Sequence, residues 1–366
     1  MKTHAQQLRT HFRAFLLIAC LLLAIGTLFV YSASSVFALE KHGSSAYFLF
    51  RHLLGIVLGT CAFLVMRIFP LYLIKDLSPL FFLGSLGLTA STFIPIFIHQ
   101  IHGSHRWLSL PFITFQPSEL LKVGIILYLA YCTAKNKSTN SIRAYSTFLI
   151  LFAISCLVLL KQPDFGMTVT CCITVFTLLF IMQVNTRFLL TSLLVSIPLG
   201  AALIYMKSYR WRRIVTFFNP WQDPQGAGFQ LIQSLIAIGS GSWFGVGISH
   251  SKQKFFYLPM QHTDFIFAII AEETGFIGAL FLILLYILFL YFGIRIAWQL
   301  KDQFSSTVVL GFVIMISLQA LINIAVTTGL VPTKGIGLPF VSYGNTSLIC
   351  AMALLGLVAN CVIQER

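Results

Sequence analysis

The sequence predicts an all-α, polytopic integral membrane protein with about ten transmembrane helices. Three observations carry this. Hydrophobic residues make up 58% of the 366 and charged residues only 9%, with a mean hydropathy of +0.89. Apolar runs of about 18 residues or more, long enough to cross a bilayer, recur along the chain. The 24 Lys and Arg residues sit at the ends of those runs and in the connections between them. This composition excludes an ordinary water-soluble domain. The net charge of +14 would suggest nucleic acid in a soluble protein, but no basic-aromatic module for that purpose surrounds these cations. Membrane orientation and anionic lipid account for them better, and no nucleic-acid partner is expected.

The segment 1–13 is short and basic, and 14–31 is the first span. Small residues follow at Ser32-Ala33-Ser34, which leaves a cleaved signal peptide as an alternative. The long apolar run and the spans after it favour an uncleaved first helix. The further spans are 53–68, 77–97, 120–133, 146–160, 167–182, 188–206, 265–294, 307–326 and 346–363. With the N-terminus inside, twelve Lys and Arg residues fall on each side. Six of the outer twelve lie in the long connection 207–264, and long loops report orientation weakly. Leaving that loop out gives twelve inside against six, so both termini are placed inside. The eight cysteines lie in or beside apolar segments with no metal-ligand spacing, and read as packing residues. The whole chain, 1–366, reads as one domain.

Polar chemistry gathers on the predicted outer face. The loop 207–264 opens with Tyr209-Arg210-Trp211-Arg212-Arg213, suited to a membrane interface. Its segment 228–238 is apolar but too short to span, and reads as re-entrant or interfacial. Gly239-Ser240-Gly241 and Gly245-Val246-Gly247 could cradle a phosphate through backbone amides, although they match no nucleotide fingerprint. Asp264 closes the loop at the mouth of the eighth span. Judged alone, Thr263 or Asp264 reads as a simple helix cap. Glu272 and Glu273 lie roughly 12–14 Å deeper on a continuous helix. Acids there need partners, and a buried network is favoured over direct catalysis. Glu119 and Lys122 are spaced to pair on a helix face. Asp164, in Lys161-Gln162-Pro163-Asp164-Phe165-Gly166, is placed to cap the next helix. Arg106-Trp107, Pro332-Thr333-Lys334-Gly335 and Ser342-Tyr343-Gly344 complete the set.

These stretches resemble the SEDS family of bacterial cell-wall polymerases, the FtsW/RodA/SpoVE group. The resemblance rests on Arg106-Trp107, Phe115-Gln116-Pro117-Ser118-Glu119 with Lys122, Gln162-Pro163-Asp164-Phe165-Gly166, Gln253-Lys254 with Tyr257-Leu258-Pro259, His262-Thr263-Asp264-Phe265-Ile266-Phe267 with Glu272-Glu273, and the 332–344 motifs. They follow the family order over nearly the whole chain. Pro332-Thr333-Lys334-Gly335 and the 253–259 stretch favour the division-type FtsW branch over the elongation-type RodA branch. Two departures stand out: Met260 occupies a place usually held by Glu, and Asn345 one usually held by Gly.

The resemblance implies a ten-helix inverting glycosyltransferase in the bacterial cytoplasmic membrane. It would polymerise lipid II, an undecaprenyl-pyrophosphate-linked saccharide, with a class B penicillin-binding protein and other divisome proteins as partners. Asp264 would be catalytic, as a base or as the ligand of a divalent cation (Mg or Mn), the one cofactor left open. Arg106, Glu119, Lys122, Arg210, Arg213, Lys254, His262, Lys334, Ser342 and Tyr343 would form the substrate site. Asp164, Glu272 and Glu273 would serve as structural network. A lipid II transporter and a catalytically idle scaffold are the rival readings. Buried acids lend the transporter some support.

Overall fold

The structure is a computed structural model describing residues 4–94, 99–101, 104–109, 114–135, 145–206, 208–255 and 258–365. Several residues used in the sequence reading lie outside these: Lys2, Phe97, Lys137, Arg143, Lys207, Tyr257 and Arg366. Each predicted apolar span falls on a helix. These are α1 (His4–His42), α2 (Tyr47–Ile68), α3 (Leu71–Ser91), α4 (Pro117–Lys135), α5 (Ser146–Lys161), α6 (Phe165–Ile181) and α7 (Thr186–Tyr205), then α10 (Ile266–Gln299), α11 (Gln303–Thr327) and α12 (Asn345–Gln364). Six of them, α1, α2, α3, α10, α11 and α12, are long and apolar enough to cross a membrane by length and composition. The third helix starts and ends about six residues earlier than predicted, because Pro70 supplies its N-terminal boundary.

The loop 207–264 is not irregular. It contains α8 (Ser208–Phe218), a 3₁₀ turn (Pro220–Gln222) and α9 (Phe229–Ser240), the last over the segment read as re-entrant or interfacial. The all-α expectation needs one amendment. A small antiparallel sheet, β1 (His99–Ile101), β2 (Ser104–Ser109) and β3 (Thr114–Phe115), lies between α3 and α4 in the order β1-β2-β3. It carries Arg106-Trp107.

With no hydrophobic drive between helices in lipid, small residues set close approach. Gly356 of α12 lies against the backbone of Phe63 in α2, and Gly26 of α1 against the backbone of Phe340 and Val341. The interior is built chiefly from α4, α11 and α12, while α2 and α3 turn most of their apolar surface outward. The small residues Ser32, Ala33 and Ser34 are mid-helix and buried. Their smallness serves packing of α1 against α10.

Helix α10 is broken at Gly275, which has φ 69° and ψ −168°. A break strands carbonyls and amides that must find partners in a nonpolar setting. The loop 241–247 supplies them. Val246 and Gly247 donate their amides to the carbonyls of Glu272 (3.0 Å) and Glu273 (3.1 Å), and Phe276 and Ile277 donate theirs to Ser242 (2.8 Å) and Trp243 (3.2 Å). Gly245 and Gly275 both have positive φ and meet face to face, leaving no room for a Cβ on either. The amides read as a phosphate cradle are therefore spent on the helix.

Candidate active site

The site is built on the backbone of residues 262–264. Three consecutive carbonyls there are each held by a different donor. His262 O accepts from the Tyr343 amide (3.0 Å), Thr263 O from Ser342 Oγ (2.5 Å) and Asp264 O from Asn323 Nδ2 (2.7 Å). Asn323 also donates to Ile336 O at 2.6 Å, and Ser342 Oγ accepts from the Leu338 amide at 2.7 Å. One turn earlier on α11, Gln319 Nε2 donates to Gly337 O at 3.1 Å. The connection 328–344 is thus tied to α11 and to the Asp264 turn together. Ser342 acts here as a positioning residue, not as a ligand contact.

Asp264 is half-buried and does not cap α10. The N-cap position is Phe265, and no side chain caps the helix. Among the described residues the Asp264 carboxylate has no hydrogen-bond or ion-pair partner. Burial pushes its pKa up to about 6; Arg106 and Arg213 oppose that, and Asp164 adds to it. A Cβ on Gly335 would lie 3.2 Å from Asp264 Oδ2, so glycine leaves one side of the carboxylate open.

The cleft beside Asp264 draws its cations from separate elements. Arg106 on β2 donates through Nε to Gln162 O (3.0 Å) and through Nη2 to Pro163 O (2.5 Å), and stands 3.7 Å from Asp164. Asp164 caps α6 by accepting from the Met167 amide at 3.1 Å, as its position before the helix predicts. Burial raises its pKa, while Arg106 and the Met167 amide lower it. Arg210 of α8 and Lys334 each lie 5.3 Å from the centre of the Phe165 ring. Arg213 of α8 reaches Thr333 O at 3.2 Å. Burial lowers the Lys334 pKa against the pull of Asp164. Four cations and two carboxylates therefore face one another where α6, α8, β2 and the 328–344 connection meet.

Other predicted ligands are placed elsewhere. Lys122 pairs with Glu119 at 2.7 Å and donates to Gln319 Oε1 at 3.2 Å, all inside the bundle. Lys254 is 3% exposed, stands 3.7 Å from Glu273 Oε1 and donates to Ser249 O, so it is no free phosphate ligand. Glu273 accepts from Ser32 Oγ through both oxygens (2.7 and 2.8 Å). Glu272 accepts from Ser251 Oγ (2.5 Å) and the Lys252 amide (2.9 Å). Both glutamates thus tie loop 249–254 and α1 to the broken helix. His262 and Tyr343 point away from the cleft into an aromatic cluster. Met260 takes a left-handed backbone, φ 55°, and its carbonyl accepts from the Thr263 amide at 3.1 Å, so the turn persists without an acid there.

Asn323 and Gln319 were missed. The signal was present: Gln319, Asn323 and Thr327 recur every four residues on an apolar helix, a single polar stripe. Among the described residues no three His, Cys, Asp or Glu side chains converge, and the neighbours of Asp264 are mostly cationic.

The fold and site define a multi-pass α-helical membrane protein with a half-buried carboxylate among cations at one end of the bundle. A family profile described as "cell cycle protein" (FtsW/RodA/SpoVE) matches residues 12–366, and the chain belongs to that family. A relative from Geobacter sp. (strain M18), "probable peptidoglycan glycosyltransferase FtsW", is 39% identical over 96% of each chain. "Stage V sporulation protein E" of Bacillus subtilis (strain 168) is 38% identical over 94% of each. Among solved structures, one described as "structural coordination of polymerization and crosslinking by a peptidoglycan synthase complex" superposes with TM-score 0.79 at 29% identity, covering 96% of this chain and 97% of that one. The rod shape determining protein RodA of Thermus thermophilus superposes with TM-score 0.71 at 25% identity, covering 96% of each.

Proposed function

We infer that this chain is a peptidoglycan glycosyltransferase of the FtsW type, building glycan strands for septal wall synthesis. The observation that carries the reading is Asp264: a carboxylate clamped by its own backbone, without a hydrogen-bond or ion-pair partner among the described residues, set near Arg106 and Arg213, with Arg210 and Lys334 over the neighbouring Phe165 ring. The substrate would be lipid II at the outer face of the bacterial cytoplasmic membrane. All ten apolar helices would span, with both termini cytoplasmic. A class B penicillin-binding protein would cross-link the product, and other divisome proteins would join them.

In this mechanism the 4-hydroxyl oxygen of one saccharide attacks the anomeric carbon of another. The bond from that carbon to the pyrophosphate oxygen breaks, with inversion. Asp264 accepts the hydroxyl proton as general base. The cations of the cleft offset the charge that gathers on the departing pyrophosphate. No step is routed through a metal. The transporter alternative loses its main support, since Glu272 and Glu273 are engaged by Ser32, Ser251, Lys252 and Lys254.

The test is polymer formation by purified protein given lipid II, with and without a cross-linking partner. Wild-type protein should yield glycan strands. Asp264→Asn should yield none while its expression and thermal stability stay normal. Undiminished polymer from that variant would remove Asp264 from the reaction.

A further inference from the structure

Asp264 stands at the start of α10. At the other end of that helix the bundle holds a cavity that the proposed reaction does not use. The start of α3, the start of α11 and the end of α12 leave about 220 Å³ between them. Leu71 and Phe304 line it and are buried, while Tyr72, at its edge, is 66% exposed. The volume falls below the roughly 300–1,000 Å³ of a pocket for a drug-sized molecule. It suits a small head whose remainder lies outside.

Three charged side chains line the cavity, and each has capacity to spare. Lys75 is half-buried, and its ammonium has no hydrogen-bond or ion-pair partner among the described residues. Asp302 caps α11 through one oxygen, Oδ2, which accepts from the Ser305 amide (3.0 Å) and Ser305 Oγ (2.8 Å). Glu365 Oε1 accepts from the Lys301 amide at 3.2 Å. Asp302 Oδ1 and Glu365 Oε2 accept from no donor among the described residues. A purely anionic head would meet two carboxylates here, and a purely cationic one would meet Lys75. A head that carries both signs satisfies all three groups.

The setting identifies the kind of molecule. Ile68 and Phe69, just before α3, and Trp298, near the end of α10, are large exposed apolar residues at this end of the bundle. Aromatic residues at the ends of apolar helices sit at the depth of phospholipid headgroups. We propose that the cavity binds the head of an amine-bearing zwitterionic phospholipid, phosphatidylethanolamine. Its phosphate pairs with the Lys75 ammonium, and its own ammonium donates to the free oxygens of Asp302 and Glu365. Its acyl chains lie along α3, where exposed apolar side chains continue from Tyr72 to Leu80 and Leu83. The bound head ties three helix ends together, so its loss loosens the bundle.

The proposal does not rest on the glycosyltransferase reading, and its test reads binding. Purified full-length protein, stripped of lipid in detergent, is titrated separately with phosphatidylethanolamine, phosphatidylcholine and phosphatidylglycerol. Bound lipids are counted by native mass spectrometry, and the melting temperature is followed. One phosphatidylethanolamine should be retained and should raise the melting temperature. Phosphatidylglycerol has no ammonium, and the ammonium of phosphatidylcholine has no N–H to donate, so both should be lost. Lys75→Ala and Glu365→Gln should each weaken phosphatidylethanolamine binding about tenfold, the loss of one charge-assisted hydrogen bond, and Lys75→Arg should keep it. Equal retention of the three lipids overturns the proposal and leaves only general bilayer contact. Unchanged phosphatidylethanolamine binding by the Lys75→Ala/Glu365→Gln double variant also overturns it, by placing the lipid elsewhere on the protein.

Discussion

Asp264 serves as a base only while its carboxyl is ionised, and burial sets where that happens. With a pKa raised to about 6, the ionised fraction falls as pH drops through that value. The kcat/KM of polymerisation should therefore show an acidic limb with its inflection near pH 6; a kcat/KM flat from pH 5 to 8 would contradict the assignment. Stability runs the other way. The folded state takes up this proton before the unfolded state does. The site therefore costs stability above about pH 6 and is relieved as pH falls from 6 towards the ordinary value of 3.8. Asn323 is the companion prediction. Asn323→Ala frees the carbonyls of Asp264 and Ile336, with an expected cost of about 1–3 kcal/mol. Its kcat should fall more than its KM rises, since Asn323 positions the turn without touching substrate. The motif around Asp264 was legible in the sequence, but whether it capped the helix was not. An acid before a helix looks the same whether its side chain turns back to the amides or out into a cleft.

Among the elements, the interruption of α10 has the most consequence. Gly275→Ala would force a left-handed backbone and a Cβ into the space of Gly245. The strain at such a position is of order 1–3 kcal/mol before the clash is counted. Loss of thermal stability and of activity together is expected, whereas an unperturbed melting temperature would show that the break is dispensable. Glu273→Gln keeps the shape but removes the charge beside Lys254. Breaking a buried pair costs about 3–5 kcal/mol where one charge is left uncompensated. The sequence made the two glutamates legible as network, because acids so deep in an apolar segment require partners. It hid the break itself, since a lone glycine in an apolar run is common. It also hid the sheet around Arg106, whose strands are too short to show alternation.

Across the whole molecule, the apolar periodicity made every long helix legible, because burial in lipid leaves an unbroken hydrophobic run. The convergence of distant loops was less so. Arg106, Asp164, Arg213, Asp264 and Lys334 come from separate connections, all assigned to one face by the basic-residue count. That count makes a prediction of its own. A single cysteine placed at Trp221 should react with a membrane-impermeant maleimide added outside intact cells, and one at Lys301 should not. The reverse pattern would invert the topology and put the cleft on the wrong side for a lipid-linked substrate.

The loop that fills the break in α10 makes its four hydrogen bonds there with main-chain atoms. Phe244, 82% exposed, is left out of the joint, whereas Trp243, 64% exposed, packs edge-on against Phe276 of α10 at 5.4 Å. How the loop is held and what it displays are therefore separable properties. Residue 244 can be exchanged for another without disturbing the four backbone bonds, while the glycines beside it cannot. The surface of this protein can be rewritten at that position to suit a different neighbour, at no cost to the framework that supports Asp264.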